Sequence, residues 1–553
     1  MRVSLACALL LLAGHTALAQ MASRAATSTD ITAKDLRVRL FLLADDSMGG
    51  REPGSIGNFK AAEYIASEFK RLGLKPGGEG GTYFQQVPFV REQLDDQATL
   101  EGDGVRMLAG RDFLPALWIP SRTGPLAGAG TIYGGDAADS TTWIDSSAAA
   151  GHLVVLDSRP GPNGRQYVRT GIAARSARWQ GAAALAFAEL DLLDPGVRQM
   201  VTDGRVSVDA QGETSGPPVL IITPEAAQTL FSSPMEGLSP GAAGKAVQGK
   251  VTARRAPTAY LARNVIAIIP GSDPKLRAEY VSLTAHNDHV GFGHDPVDHD
   301  SIRAFNRVVR PLGADSPVRD ATPQETSRIR IILDSLRAIH KPRADSIRNG
   351  ADDDGTGTVS ILELAESFAK GKDRPKRSLI FISHTGEEYG LVGSAWFTDH
   401  PTIPRDSIVA EIDQDMIGRG GSSDLPAGGP SYLEVVGARR LSTEFGDMLE
   451  AANAAQRPPF VFSYTYDAPG HPSQYYCRAD HYNYARYGIP SVVFSRGEHL
   501  DYHQVTDEPQ YIDYDNLARV SWMVHDAALK VANADHRPAL DKPKGDPKAP
   551  CVQ

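Results

Sequence analysis

The sequence predicts an α/β fold in which helices cover both faces of a central sheet, with a smaller β-rich domain inserted near the start. Apolar runs at 264–269, 280–285 and 378–382 have the character of buried strands, and helical patterns alternate with them to about residue 533. Such alternation is typical of a sheet flanked by helices. Between residues 92 and 256 the β-type runs are short and lie among glycine, alanine and proline, which predicts a separate domain.

The N-terminus has the pattern of a secretory signal peptide. Arg2 is followed by an apolar run at 5–13 and by Ala17-Leu18-Ala19, a typical cleavage site. The run is too short to span a bilayer, and no later segment is long and apolar enough for a membrane helix. We therefore expect removal of residues 1–19 and a secreted or periplasmic protein with no membrane span in the mature chain.

The rest of the chain divides into a main domain, expected at 31–91 plus 257–535, and three further parts. Residues 92–256 form the inserted domain. Residues 302–347 are rich in arginine, aspartate and serine and are expected to be a surface insertion with one amphipathic helix near 329–339. Residues 536–553 are rich in lysine, proline and aspartate and are expected to be a disordered tail. The sequence leaves open whether Cys477 and Cys551 pair in an oxidising compartment.

Overall size and charge exclude some functions. A chain of 553 residues is long enough for at least two domains and a sizeable core. Its formal net charge is -10, without a basic stripe, which argues against a nucleic-acid partner.

Histidine and carboxylate side chains stand at the ends of several strand-like runs. Ligands of open α/β sheets bind in the crevice at the carboxyl ends of the strands, so these distant residues are expected to meet in one site. The candidates are His286 after the run 280–285, Glu387 and Glu388 after 379–383, Asp415 after 408–412, Asp353 in the glycine-rich segment 350–355, and His503.

This mixture of imidazoles and carboxylates suits metal ions. Nitrogen and oxygen donors without thiolate favour zinc, with manganese or cobalt as substitutes. Five protein ligands exceed the usual set for one catalytic zinc and fit two ions that share a carboxylate, for which Asp353 is the natural bridge. Of the adjacent pair Glu387 and Glu388, one carboxylate is expected to bind a metal and the other to handle a proton. Asp288 is expected to accept the proton of the free nitrogen of His286.

Other interpretations of these segments are weaker. The run 352–354 imitates a calcium loop, but Gly350 and Ile361 occupy the first and last liganding positions, so an EF-hand fails. His289, His294 and His299 crowd the segment after His286 and are interpreted as loop residues rather than ligands.

With these residues assembled, the chain resembles the M28 family of co-catalytic zinc peptidases, which includes secreted bacterial aminopeptidases. The resemblance implies a mixed central sheet flanked by helices, and a protease-associated domain for 92–256. The matching strings are Ala285-His286-Asn287-Asp288-His289, Gly350-Ala351-Asp352-Asp353-Asp354-Gly355, Gly386-Glu387-Glu388, Asp415-Met416-Ile417-Gly418 and Asp501-Tyr502-His503.

The resemblance also implies a role for each residue. One metal would be held by His286, Asp353 and Asp415, and the other by Asp353, Glu388 and His503. Glu387 would be the general base and acid, Asp288 would orient His286, and Tyr502 would help to hold the oxyanion. Two departures stand out: Asp352 replaces the family's usual asparagine, and the insertion at 302–347 lengthens the path from His286 to Asp353.

The expected activity is that of an aminopeptidase, which releases N-terminal residues from peptides through a hydroxide shared by two Zn²⁺ ions, with Glu387 as the base. Its partners would be peptide substrates. The alternatives are a dipeptidase or carboxypeptidase or a glutaminyl cyclase of the same fold, and, more distantly, a non-catalytic binding protein. The preferred N-terminal residue and the oligomeric state are not set by the sequence.

Overall fold

The computed structural model describes residues 27–117, 124–157, 178–193, 195–209, 216–425 and 427–553. The predicted signal peptide, 1–19, lies outside these residues. The chain divides into two compact units, one of Met1–Val87 with Ala259–Gln553 and the other of Pro88–Thr258. The inserted domain predicted at 92–256 falls within the second unit.

The first unit alternates helices and strands along the chain. Its described helices are α1 (Ala33–Leu43), α2 (Ile56–Leu72), α3 (His299–Val309), α4 (Pro323–Arg337), α5 (Gly357–Lys370), α6 (Val392–Asp399), α7 (Thr443–Ala455), α8 (His481–Ala485) and α9 (Tyr514–Asn533). Its described strands are β1 (Lys75–Pro76), β2 (Phe84–Val87), β3 (Ala262–Ile269), β4 (Tyr280–His286), β5 (Phe292–Asp298), β6 (Ala344–Ile347), β7 (Ser378–His384), β8 (Ile408–Gln414), β9 (Tyr432–Val436), β10 (Val461–Ser463) and β11 (Ser491–Ser495).

Nine of these strands form one mixed sheet in the order β1-β3-β7-β4-β8-β11-β9-β10, with β2 also paired to β3. The four central strands β7, β4, β8 and β11 run parallel to one another, while β3 and β9 flank them in the antiparallel sense. The predicted fold class, a mixed sheet with helices on both faces, is confirmed.

Alternate residues of the strands pack into two different cores. In β3, Val265 and Ala267 belong to the large core formed with α1, α2, α5 and α9, whereas Ile266 belongs to a smaller core with Phe397 of α6 and Tyr484 of α8. Side chains of a strand point to opposite faces in turn, so a strand that is apolar at successive positions must be covered on both sides. The apolar runs in the sequence reflect this double burial.

The segment predicted as a surface insertion, 302–347, contains most of α3, all of α4 and the strand β6, which pairs with β5. Helix α4 begins with a capping box, in which Thr322 and Glu325 satisfy each other's backbone N–H groups. None of the residues of α4 is buried.

The C-terminal residues 536–553 contain no helix or strand, but their end is tied to the unit. Cys551 forms a disulfide with Cys477, and the side chain of Gln553 accepts a hydrogen bond of 2.9 Å from the backbone N–H of Tyr476. The pairing that the sequence left open is therefore present.

The second unit is rich in β-structure. Its larger sheet runs in the order Val105–Met107, Thr99–Gly102, Ala243–Val251, Ala129–Asp136, Leu153–Asp157, Ala184–Ala188, Val219–Ile222 and Phe113–Pro115, with Gly124–Pro125 paired to Ala243–Val251. A three-stranded sheet consists of Arg205–Val208, Phe89–Leu94 and Ala253–Pro257. Its described helices are Ser146–Ala149, Pro195–Asp203 and Pro224–Phe231.

No helix in the described part of the chain has both the length and the apolar character needed to cross a membrane.

Candidate metal centre

The predicted ligands meet at the carboxyl ends of the parallel strands. Strand β4 ends at His286, which is in register with His384 at the end of β7, and β8 ends one residue before Asp415. His503 and Glu388 come from loops that follow β11 and β7. This edge is where open α/β sheets bind ligands, because the chain leaves the strands there and the side chains are free to converge.

Asp353 reaches the site from a tight turn before α5. Gly350 has a φ of 55°, and a Cβ at this position would lie 2.3 Å from the carbonyl oxygen of Asp353 and 2.5 Å from the ring of His289. Only glycine fits this turn. The carboxylate of Asp507 accepts hydrogen bonds from the backbone N–H groups of Asp352 and Asp353, at 3.0 and 3.2 Å, and so holds the turn in place.

The first ligand group consists of His286, Asp353 and Asp415. The Nε2 atom of His286 lies 3.2 Å from Oδ1 of Asp353 and 3.7 Å from Oδ1 of Asp415. Ligands held at about 2.0–2.2 Å from a tetrahedral zinc ion lie roughly 3.4 Å from one another, so these separations suit a shared cation.

The second group shares Asp353 and adds Glu388, His503 and His289. The Nε2 atom of His503 is 3.1 Å from Oδ2 of Asp353 and 2.8 Å from Oε2 of Glu388. The Nδ1 atom of His289 is 2.6 Å from Oε1 of Glu388. Oδ1 of Asp353 therefore faces the first group and its Oδ2 faces the second, as expected for a bridging carboxylate.

Several donor atoms of the two groups have no hydrogen bond of acceptable geometry within the described chain. They are His286 Nε2, Asp353 Oδ2, Asp415 Oδ1, Glu388 Oε1, His503 Nε2 and both ring nitrogens of His289. Buried polar atoms are nearly always satisfied, so a concentration of unsatisfied nitrogen and oxygen lone pairs aimed at one another indicates a cation site. The residues present fit a metal site on this ground.

The pKa shifts show that the site attracts positive charge. Burial opposes protonation of His503, but the charge of Glu388 and the hydrogen bond with Asp353 raise its pKa to about 10. Burial likewise opposes protonation of His286, yet Asp288, Asp353 and Asp415 raise its pKa well above the ordinary value. Metal binding would displace these protons, because a ligating histidine must be neutral.

Glu387 lies beside both groups and belongs to neither. Its Oε2 atom is 3.9 Å from Nε2 of His286, and its side chain is 11% exposed. Burial raises the pKa of the Glu387 carboxyl well above its ordinary value, and Asp415 and Glu388 raise it further. The residue stands where it can exchange a proton with a molecule bound between the ligands.

Asp288 and Tyr502 also lie at the site, with contacts that the sequence did not specify. The Nδ1 atom of His286 is 3.2 Å from the backbone oxygen of Asp288 and 3.6 Å from its carboxylate. The Asp288 carboxylate instead accepts a hydrogen bond of 3.2 Å from the backbone N–H of Glu387. The Tyr502 hydroxyl accepts one of 3.3 Å from Arg478, and its ring centre is 3.9 Å from that of His503.

His289 is the residue of this site that sequence reasoning missed. It was interpreted as a loop residue, but it is fully buried and contacts Glu388. The available signal was its position directly after Asp288, within the same short segment as His286.

A third cluster, His299 with Asp345 and Glu508, has ligand-type residues at suitable distances but already contains a cation. The Arg343 guanidinium donates to Asp345 at 3.1 Å, pairs with Glu508 and lies 2.8 Å from Nε2 of His299. We interpret this cluster as an ion-pair network rather than a metal site.

Carboxylates and imidazoles grouped around a shared aspartate, at the carboxyl edge of a mixed sheet, define a metal-dependent hydrolase. The profile of peptidase family M28 matches residues 264–528, the segment that supplies every ligand described above. Residues 264–528 are therefore an M28 peptidase domain. The predicted family is therefore confirmed, whereas no comparison supports a protease-associated domain in the second unit, so that identification stays a prediction.

Curated relatives match shorter segments. A vacuolar membrane protease of Phaeosphaeria nodorum is 29% identical over 144 residues, which is 26% of this chain and 15% of that protein. Leucine aminopeptidase 1 of Sclerotinia sclerotiorum is 38% identical over 92 residues, or 16% and 23% of the two chains. A probable glutamate carboxypeptidase of Arthroderma benhamiae is 35% identical over 98 residues, which is 17% of this chain and 14% of that protein. The matches thus span less than a quarter of each of these three relatives.

Among solved structures, an aminopeptidase from Aneurinibacillus sp. strain AM-1 aligns over 92% of this chain and 96% of that chain, with 17% identity and a TM-score of 0.49.

The predicted secreted or periplasmic location is wrong in the light of these relatives. Several of them are named vacuolar membrane proteases, in Phaeosphaeria nodorum, Pyricularia oryzae and other fungi. Those names refer to a vacuolar membrane rather than to secretion. The pattern at 1–19 alone had led to the prediction, and a short apolar leader does not specify the final compartment.

Proposed function

We propose that this metallopeptidase is an aminopeptidase that works with two Zn²⁺ ions and removes N-terminal residues from peptides. His286, Asp353 and Asp415 would hold one ion. Asp353, Glu388 and His503 would hold the other, with His289 against Glu388. The observation that carries the proposal is that the two carboxylate oxygens of Asp353 face two separate groups of donor atoms.

A pair of bound divalent cations lowers the pKa of water toward neutrality and polarises a substrate carbonyl. Glu387, next to both groups, would accept the proton of the attacking water and return it to the leaving amine. The backbone N–H of Glu387 is held by Asp288, which fixes the position of the base. Tyr502, steadied by Arg478, would donate a hydrogen bond from its hydroxyl group to the oxyanion of the tetrahedral intermediate.

The charge of the adjoining cavity favours a substrate with a free amine over one with a free carboxylate. The cavity has a volume of about 390 Å³ and is lined by ligands of both groups together with Asp315, Glu434 and Glu498. Arg478 is the one arginine or lysine among its described lining residues, and it is paired with Asp315 at 2.6 Å and Glu498 at 3.4 Å. A carboxypeptidase needs an available cation for the substrate's C-terminus, and an acidic cavity instead attracts ammonium.

The carboxypeptidase alternative has one observation in its favour, the relative named probable glutamate carboxypeptidase. A dipeptidase and a glutaminyl cyclase are further alternatives of the same fold. These activities differ in the substrate end that they require, so a panel of blocked peptides separates them.

The purified protein, stripped with a chelator and reloaded with Zn²⁺, should hydrolyse peptides with a free N-terminus and a C-terminal amide. N-acetylated peptides with a free C-terminus should not be cleaved. The reverse preference, or cyclisation of peptides that begin with glutamine, would contradict the proposal. Elemental analysis of the reloaded protein should give close to two zinc ions per chain. A single ion would count against a site in which Asp353 binds two metals.

A further inference from the structure

We propose that this enzyme selects N-terminal residues with a cationic side chain, lysine or arginine, and that Glu434 binds the charged end of that side chain. The inference rests on the proposed aminopeptidase activity and names its substrate class. The inference depends on where the Glu434 carboxylate lies, on its burial and on the absence of an ion-pair partner for it within the described chain.

Glu434 is aligned with the metal centre across neighbouring strands. It is in register with Ser495 of β11, and Ser495 stands beside Asp415 because the preceding pair, Phe494 and Gln414, are in register. Asp415, Ser495 and Glu434 all line the cavity. Two strand spacings amount to roughly 10 Å, so a substrate bound near Asp415 has room for one long side chain before Glu434.

The orientation of Glu434 follows from strand alternation. Its neighbours Leu433 and Val435 point into the large core, as does Phe494, whereas Glu434, Val436 and Val493 face the other side of the sheet. The carboxylate is thus directed towards the cavity by the same alternation that buries its neighbours.

Glu434 is buried, yet one of its oxygens is unsatisfied. The residue is 1% exposed, and the Tyr432 hydroxyl donates a hydrogen bond of 2.5 Å to its Oε1 atom. The Oε2 atom has no hydrogen-bond partner among the described residues. A buried carboxylate without a cation is costly, and a cation supplied by the substrate would remove that cost.

Glu498 places a further acidic side chain in the same cavity. It is buried and shares Arg478 with Asp315, so that two acidic side chains of the cavity wall face one guanidinium. Glu434, by contrast, forms no ion pair within the described chain. A lysine ammonium or an arginine guanidinium would compensate its charge.

The intervening wall suits an aliphatic stem. Met416, Val436 and Val493 line the same cavity as Glu434, and the Arg478 guanidinium lies 5.4 Å from the ring centre of Tyr475, another lining residue. Lysine and arginine bury their methylene stems along apolar surface while the charged head finds a polar partner. A leucine or norleucine side chain would pack against the same apolar residues but would leave the Glu434 carboxylate unpaired.

The test compares the amidomethylcoumarin derivatives of L-lysine and L-norleucine, whose stems match and which differ in the terminal ammonium. For the wild-type enzyme we expect kcat/KM to be at least about tenfold higher for lysine, as a charged hydrogen bond provides. In Glu434→Gln the ratio of lysine to norleucine should fall by about tenfold or more. Glu450→Gln, which alters an exposed glutamate paired with Arg439, should leave the ratio unchanged.

Efficient cleavage of the norleucine substrate, with equal or weaker cleavage of the lysine substrate, would overturn the inference and leave the aminopeptidase proposal intact. Cleavage of neither, together with activity on N-acetylated peptides, would overturn both. If Glu434→Gln does not fold, Glu498→Gln takes its place with an expected loss of at least threefold in the ratio, and an unchanged ratio there would contradict the inference. Competition in the wild-type enzyme gives a result without any variant, because lysinamide should inhibit more strongly than norleucinamide.

Discussion

Two buried groups of carboxylates in the first unit satisfy their charge in different ways. In one group Arg39, which is 1% exposed, pairs with Glu68 and Glu363 and with Glu366 at 2.6 Å. Arg71 adds pairs to Glu68 and Glu366 at 2.8 and 3.0 Å. A permanent cation is thus built into this group, and its carboxylates stabilise the packing of α1 and α2 on α5.

In the metal centre the carboxylates face imidazoles instead. Asp353, Glu388 and Asp415 have only histidines as ion-pair partners within the described chain. A histidine that binds metal must be neutral, so a bound cation displaces the protons of this group and can itself be removed again. The carboxylates of the metal centre thus differ from those around Arg39 in the absence of a permanent cation among their ion-pair partners.

The largest effect should come from Glu387, the carboxylate that belongs to neither kind of group. Glu387→Gln should lower kcat by roughly two to four orders of magnitude, as expected for loss of a general base, while zinc content stays unchanged. Steady-state kinetics and elemental analysis on the same sample check both parts. Turnover near the wild-type value, or loss of zinc along with activity, would show that Glu387 has another role.

Removal of the Arg39 guanidinium should lower the stability of the fold and leave the catalytic reaction unaffected. Arg39→Met leaves the buried Glu363 without an ion-pair partner and Glu68 and Glu366 with Arg71 alone, and should lower the free energy of unfolding by roughly 3–5 kcal/mol. Urea denaturation of the zinc-loaded protein measures this loss. Arg439→Met, which removes exposed pairs with Asp447 and Glu450, is the matched control and should cost about 1 kcal/mol or less. Equal losses in the two variants would refute the distinction between the two groups.

The two histidine clusters allow a direct test of the effect of a permanent cation. His289→Ala should lower the affinity for the zinc ion at Glu388 and His503 by about ten- to hundredfold, because His289 contacts the ligand Glu388. His299→Ala, in the cluster that already contains Arg343, should leave zinc affinity unchanged. Titration with a competing chelator measures both. A weaker zinc site in His299→Ala would show that arginine does not exclude metal there.

The smallest expected effect concerns Glu434, which has neither an arginine nor an imidazole as partner. Burial raises its pKa to about 7, and the Tyr432 hydroxyl opposes this rise; Tyr466, Tyr475 and Glu498 are the other titratable groups near it. Because a raised pKa leaves the carboxyl neutral in acid, the preference for lysine over norleucine should rise several-fold from pH 6 to pH 8. The ratio of kcat/KM for the two substrates removes effects common to both. A flat ratio would mean that Glu434 does not bind the side chain.

The sequence by itself determined the central sheet and most of the site. Strands buried on both faces appear as continuous apolar runs, and a ligand that directly follows such a run must lie at the sheet's carboxyl edge; His286, Asp415 and Glu388 were found in this way. The tertiary structure alone decided which residues join them from other contexts. Whether His289 turns inwards depends on the turn at Gly350, and Glu434 reaches the cavity only through the register of β9 with β11. Register and turn contacts link residues distant in the chain, and no local pattern of residue types records those contacts.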